Sequence, residues 1–336
     1  MSNYSTNYHI IGVGGIGCAL GYALLSSGAE VVFVESNPNK IESGNRHGVE
    51  VVGRPLLKAK FVSFVQWQPT SDTIVLLCTK CYDNPAVLAR LPAAAPVVPV
   101  QNGIDPQLES LAHEAEGIAS FVSECEPDRP VTRISRPGDL HIGGRGHGVP
   151  DWLPPLAAAL RASDVFRVVE VADVRPFKNS KLMYNAAISP LAAAAGIDNG
   201  KLLSDRRARR LFFALLRENY TILKRAGMPL ARIGPFHPRT VKKILSVPGL
   251  ASVMARAFEP SLRGTYCSMS GDIATGRTEI DNYNGRLVNL AGDRPCPMNR
   301  RAVEVIETMT RDGIAPNPDM LEWFERAPLA LAKARG

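Results

Sequence analysis

Gly12-Val13-Gly14-Gly15-Ile16-Gly17 directly follows a short apolar run, Tyr8-His9-Ile10-Ile11, and directly precedes a helix-like run from Cys18 to Ser27. Glycines at this spacing alone describe only a turn; between a strand and a helix they form a dinucleotide-binding fingerprint. Gly12 permits the tight turn, Gly14 lets the backbone approach a pyrophosphate, and Gly17 lets the helix lie close on the strand, with Val13, Gly15 and Ile16 completing the cradle. Phosphate charge then meets free N–H groups at the helix N-terminus. A second apolar run, Val31-Val32-Phe33-Val34, ends in Glu35, where an acid hydrogen-bonds the adenosine ribose. A carboxylate there repels a 2′-phosphate and favours NADH over NADPH, while Lys40 and Arg46 nearby keep NADP(H) open.

The 336 residues are 45% hydrophobic and 21% charged, which excludes disordered and fibrous classes and is enough chain for two domains with separate cores. No apolar run approaches the roughly 18 residues of a membrane span, and the N-terminus lacks a basic-then-apolar leader, so a cytoplasmic location without membrane contact is expected. The six cysteines are scattered, as expected of reduced thiols; Cys78-Thr79-Lys80-Cys81 is formally C-x-x-C, but no second pair or clustered histidine accompanies it, and no metal site is expected. A net charge of +7 and the arginines between Arg206 and Arg225 raise nucleic acid as a partner. Those arginines interleave with Leu211, Phe212, Leu215, Leu216, Tyr220 and Leu223 at helical spacing, the pattern of a solvated helix face, so no nucleic-acid partner is expected.

Two halves differ in character. Up to about residue 170, short β-branched runs alternate with turns and helical segments: Thr73–Leu77, Pro96–Val100 and Gly117–Val122 read as buried parallel strands, and Ser135–Gly143 as a turn and an antiparallel edge strand. Beyond Val174 the strand signals stop, and helical periodicities are broken only at Gly227-Met228-Pro229, Pro248-Gly249 and Gly292–Pro297. The expected fold is α/β: a Rossmann-type doubly wound sheet over residues 1–172, followed by an all-helical C-terminal domain over residues 173–336. The apolar helices of that domain can pack within one chain or across a homodimer, and both arrangements stay open.

Open α/β sheets place polar groups at strand C-termini, where a carbonyl substrate is oriented. Lys80 and Asp83 follow the strand ending at Leu77, and Gln101-Asn102-Gly103 follows the strand ending at Val100. Lys181, Asn185 and Ser189 recur every four residues, on one face of a helix. Taken singly, Lys181 describes a solvated helix residue, Asn185 a satisfied buried amide and Glu279 a surface carboxylate.

Together these residues form an ordered series that resembles the ketopantoate reductase family, the 2-dehydropantoate 2-reductases. The series runs through Gly12–Gly17, Lys80-Cys81-Tyr82-Asp83, Gln101-Asn102-Gly103, Pro137-Gly138, Lys181-x-x-x-Asn185-x-x-x-Ser189-Pro190-Leu191, Asn199-Gly200, Ser268-Met269 and Thr278-Glu279-Ile280-Asp281-x-x-Asn284-Gly285. The resemblance implies NAD(P)H-dependent reduction of ketopantoate to pantoate, with Lys181 the proton donor to the ketone oxygen. It implies substrate contacts from Asn102, Asn185, Ser189, Asn199 and Ser268. Asn102 would also touch the cofactor, Glu279 would lie against the cofactor and near the lysine, Cys125 would make a backbone contact to the nicotinamide end, and Lys80 would sit over the cofactor cleft. Lys181, Asn185 and Glu279 are thus the expected catalytic set, and a small 2-oxo acid the expected partner.

Four positions depart from the family pattern. Ser189 replaces a usual asparagine, Asn179 replaces a usual aromatic residue, and Glu35 stands where many relatives carry a basic residue for NADPH. Gly276-Arg277-Thr278-Glu279 is also one residue short after Ser268, which on a helix would rotate the later side chains by about 100°. Ser268 and Glu279 keep their roles only if a loop absorbs the gap. Reduction of another 2-oxo acid, or a catalytically silent nucleotide sensor, are the competing readings; intact Lys181, Asn185 and Glu279 argue against the sensor.

Overall fold

Asn7–Ile11 (β1) runs parallel to Glu30–Glu35 (β2) on one side and to Ile74–Leu77 on the other. Between them in the chain lie Glu50–Val51 (β3) and Lys60–Ser63 (β4), so Ile74–Leu77 is β5; Val97–Pro99 (β6) comes next. The resulting parallel sheet has the order β4-β2-β1-β5-β6. Successive residues of β1 point to opposite faces, and both faces are apolar. Ile10 packs with Phe33, Leu76 and the helix Gly15–Ser26, whereas Ile11 packs with Val34, Leu77 and Trp67. A sheet covered on both faces needs continuous apolar strands rather than alternating ones, which is the pattern of these runs. The chain order reverses between β1 and β5, the switch point at which such sheets bind ligands.

The described residues are 7–111 and 113–326 of this computed structural model, and they divide into two compact units at Lys181–Leu182. Two small sheets complete the first unit. Ala115–Ala119 (β7), Asp139–Gly144 (β10) and Arg167–Val171 (β11) form one, and β3, Val122–Cys125 (β8) and Val131–Arg136 (β9) the other. Two sequence expectations are corrected here. The Gly117–Val122 run is not a further parallel strand: it divides into β7, antiparallel to β10, and β8, antiparallel to β9. Nor is the strand after the Pro137-Gly138 turn an edge, because β10 is the middle strand, flanked by β7 and β11.

The helix Arg175–Ala195 begins in the first unit, and its opening turns are fastened there. Lys178 Nζ lies 2.6 Å from Glu116 Oε2 on β7, and Phe177 stacks on His141 of β10 with ring centroids 4.4 Å apart. Burial alone would raise the Glu116 carboxyl; the Lys178 ammonium and the His113 imidazole, whose Nε2 is 2.5 Å away, outweigh it and hold the group at about 2. This anchoring explains why the units divide at residue 181 rather than where the strand signals end.

Among the described residues beyond Val171 there is no strand. The second unit packs amphipathic helices, and Arg206–Arg225 buries Leu211, Phe212, Leu215, Leu216 and Leu223 while its arginines line the other side. Asp205 caps that helix by accepting from Ala208 N at 2.8 Å.

Candidate active site

In the first unit, the glycine turn follows β1, and Gly12 N donates to Val34 O of β2 at 3.0 Å. Gly12 has φ +91°, a region that disfavours any side chain. A Cβ on Gly17 would lie 2.0 Å from Gly12 O, so only glycine lets the helix start this close to the strand. A Cβ on Gly14 would meet nothing within 4 Å, and Gly14 caps the helix Gly15–Ser26 with no side-chain bond. Open space beside an uncapped helix N-terminus is the cradle a pyrophosphate requires, so the residues present fit a dinucleotide.

Glu35 ends β2 and is drawn into the turn. Its carboxylate accepts from Val13 N at 3.1 Å, Ser36 N at 2.6 Å and Asn37 N at 3.1 Å. The other side of Val13 is held by Lys40, whose buried ammonium donates to Val13 O at 3.1 Å and lies 3.7 Å from Cys125 Sγ. Cys125 Sγ itself is 3.5 Å from Val13 O. Glu35, the glycine turn and Cys125 are therefore brought together, and Lys40 joins them. Arg46, the other cation near Glu35 in the chain, pairs with Glu42 at 3.1 Å on an exposed helix face.

Lys80 and Asn102 stand at the C-terminal ends of β5 and β6, side by side in the sheet. Their loops are tied by a buried amide network. Gln101 Nε2 donates to Thr79 O at 2.8 Å and to Asn84 Oδ1 at 2.7 Å, and Cys81 Sγ donates to Asn102 O at 3.3 Å. Lys181 is half-buried on the long helix. Burial pushes its ammonium down to about 8, with the Arg136 guanidinium of β9 adding to the shift.

In the second unit, the expected residues converge on the segment 265–268. Ser189 is buried, and its carbonyl accepts from Cys267 Sγ at 3.7 Å. Asn199 N donates to Thr265 O at 2.8 Å and its Nδ2 to Thr265 Oγ1 at 3.1 Å, while its Oδ1 is buried with no partner among the described residues. Such an orphaned acceptor is completed by a donor from a ligand or a water. Ser268 Oγ lies 2.9 Å from Tyr283 OH, which donates to the buried Glu279 at 3.4 Å. After Ser268 the chain passes a tight turn at Ile273–Thr275 and a left-handed Gly276, φ +74°, before a π-helical turn at Asp281–Gly285. Ser268 and Glu279 thus remain within one hydrogen-bonded group. Asn185 lies between Lys181 and Ser189 on the helix, one turn from each.

Two participants carry no signal of their role in the sequence. Tyr283 is an unremarked position inside the Asp281-x-x-Asn284 pattern, and nothing local marks it as the link between Ser268 and Glu279. Lys40 reads in sequence only as a charge near Glu35; that it turns beneath the glycine turn depends on the packing of the helix Pro38–His47.

A parallel sheet with a glycine turn at its switch point, followed by a helical unit, defines a two-unit protein of the dinucleotide-binding class. Comparison with known proteins narrows this. Residues 8–130 match the model of ketopantoate reductase PanE/ApbA, and residues 173–310 match that of its C-terminal part. The chain belongs to the ketopantoate reductase family. It is 25% identical to the 2-dehydropantoate 2-reductase of Aquifex aeolicus, over 84% of this chain and 89% of that protein. A PanE/ApbA family ketopantoate reductase from Ralstonia eutropha shares the fold with a TM-score of 0.69 at 23% identity, covering 96% of this chain and 100% of that one. A ternary structure of D-mandelate dehydrogenase with NADH and anilino(oxo)acetate reaches a TM-score of 0.73 at 18% identity, covering 91% and 99%.

Proposed function

We propose that the chain reduces 2-dehydropantoate to pantoate, and the observation that carries this reading is Lys181, a helix lysine whose ammonium burial pushes down to about 8. An amine poised near neutral pH protonates a developing alkoxide far better than an ordinary lysine. A nicotinamide dinucleotide held at the glycine turn supplies the hydride. Gly12–Gly17, Glu35, Lys80, Asn102 and Cys125 hold the cofactor, together with Glu279. Asn102, Asn185, Ser189, Asn199 and Ser268 orient the substrate, and Asn199 Oδ1 brings an acceptor left unpaired among the described residues. In this reading residues 1–172 chiefly hold the dinucleotide and residues 173–336 chiefly the substrate. The test is dinucleotide oxidation on ketopantoate beside a panel of 2-oxo acids. Binding without turnover on any of them would favour the sensor reading instead.

Reduction of a different 2-oxo acid is the second reading, favoured by Ser189. Its hydroxyl lacks the second donor and the carbonyl acceptor of the usual asparagine and leaves more room.

The preferred cofactor is NADH. Glu35 keeps a carboxylate at the end of β2, Lys40 spends its charge on Val13 O, and Arg46 is paired with Glu42, so neither cation is turned toward a 2′-phosphate. The kcat/KM for NADH is expected to exceed that for NADPH by about tenfold or more, equivalent to about 1.4 kcal/mol. Steady-state kinetics with both cofactors on one substrate check it, and a higher value for NADPH sinks it.

A further inference from the structure

Beneath the glycine turn, three side chains meet that the proposed reduction does not use for chemistry. Cys18, in the helix Gly15–Ser26, places its Sγ 3.6 Å from the Sγ of Cys125 at the end of β8. Both thiols face the carbonyl of Val13, Cys18 at 3.7 Å and Cys125 at 3.5 Å, and Lys40 Nζ approaches the same carbonyl and the Cys125 sulfur. The two cysteines differ in setting. Cys18 is fully buried, whereas Cys125 is half-buried.

Their acidities separate accordingly. The hydrogen bond from Cys18 lowers the Cys125 thiol against the effect of burial, and the Lys40 ammonium lowers it further. The same hydrogen bond, with burial, raises Cys18. Burial raises Cys78, Cys267 and Cys296. A half-buried cysteine with a lowered thiol pKa beside a protonated partner is the arrangement of an attacking and a resolving thiol.

We propose that Cys125 and Cys18 are an oxidisable pair, in which a hydroperoxide oxidises Cys125 and Cys18 closes it to an intrachain disulfide beneath the dinucleotide turn. The Cys125 thiolate attacks one peroxide oxygen, the O–O bond breaks, and hydroxide leaves and is protonated to water. Cys125 is then a sulfenic acid, oxidised by two electrons. The Cys18 sulfur attacks that sulfur and expels hydroxide, which leaves as water with the Cys18 proton. Two thiols and one hydrogen peroxide give one disulfide and two waters.

Forming the bond brings the sulfurs from 3.6 Å to about 2.05 Å and ends thiol donation to Val13 O. Lys40 stays on that carbonyl without the thiols, and the dinucleotide is held less well, a consequence that rests on the cofactor reading above.

The test treats the full-length protein, cleared of dinucleotide, with hydrogen peroxide and maps its disulfides by peptide mass spectrometry. The expected product is a Cys18–Cys125 cross-linked peptide, absent from Cys125→Ser. Cys18→Ala should instead accumulate a Cys125 sulfenic acid that a dimedone probe labels, and Lys40→Met should oxidise about tenfold more slowly. Oxidised wild type should bind NADH at least about fivefold more weakly than reduced protein, with recovery on adding dithiothreitol. A disulfide that maps to another pair, or Cys125 remaining a free thiol, overturns the proposal; unchanged NADH affinity after cross-linking overturns its coupling to the turn. Failure of the reduced protein to bind any dinucleotide would count against the cofactor reading alone, since the mapping decides the thiol pair without it.

Discussion

Lys181→Ala is expected to lower kcat for 2-oxo acid reduction by more than about 100-fold with little change in KM, the signature of a lost general acid. The alkoxide formed at carbon must otherwise take its proton from water, which is not positioned to give it. Lys181→Arg should fare little better, because a guanidinium does not release a proton near neutral pH. The pH profile carries the same information with its sign fixed. Protonated Lys181 is the active form, so kcat should be level below about pH 8 and fall as pH rises through the value to which burial pushes the ammonium. Arg136 contributes to that depression, so Arg136→Ala should move the alkaline limb to higher pH without abolishing turnover. Steady-state kinetics across pH on the three variants decide the matter; full activity in Lys181→Ala would remove the residue from the mechanism.

How much of the fold and site is legible in the sequence depends on the range over which each feature is determined. The glycine turn reads locally, because the positive φ of Gly12 and the approach of Gly17 to Gly12 O are set within the turn itself, and the helix phase of Lys181, Asn185 and Ser189 comes from periodicity alone. Strand direction does not read locally. Gly117 and Ile118 are apolar enough for a buried parallel strand, yet they pair antiparallel with Ile142 and His141, a choice made by where the chain re-enters the sheet. The Ser268–Tyr283–Glu279 group is hidden for another reason: it depends on a left-handed glycine and a π-helical turn, which no hydrophobic pattern announces. Cys18 and Cys125 are 107 residues apart, and only the folded sheet brings their sulfurs together.

Asn284→Ala should unfold the protein well below the temperature of the wild type, and the reason lies in Pro190. A proline inside a helix has no N–H, so the carbonyl four residues earlier, Ala186 O, loses its normal donor. Asn284 supplies one from outside the helix, with Nδ2 2.8 Å from Ala186 O. The same amide donates to Asn299 Oδ1 at 2.9 Å, Asn299 donates to Asn219 Oδ1 at 2.8 Å, and Asn219 returns to the helix at Met183 O, 3.0 Å. Three asparagines with no exposed surface thus form a chain that begins and ends on one turn of the helix carrying Asn185 and Ser189. Truncating Asn284 strands two buried acceptors, Ala186 O and Asn299 Oδ1, at a cost of about 3 kcal/mol in all and a fall in Tm of about 6–12 °C. If the proline is the cause, restoring the backbone N–H should relieve part of the loss. In a Pro190→Ala background, Asn284→Ala should cost about 1–2 kcal/mol less, because residue 190 can again donate to Ala186 O. Thermal and denaturant unfolding of the four proteins in this cycle measure the coupling directly. Equal losses in the two backgrounds would show that Asn284 stabilises the unit by packing and not by standing in for the missing donor.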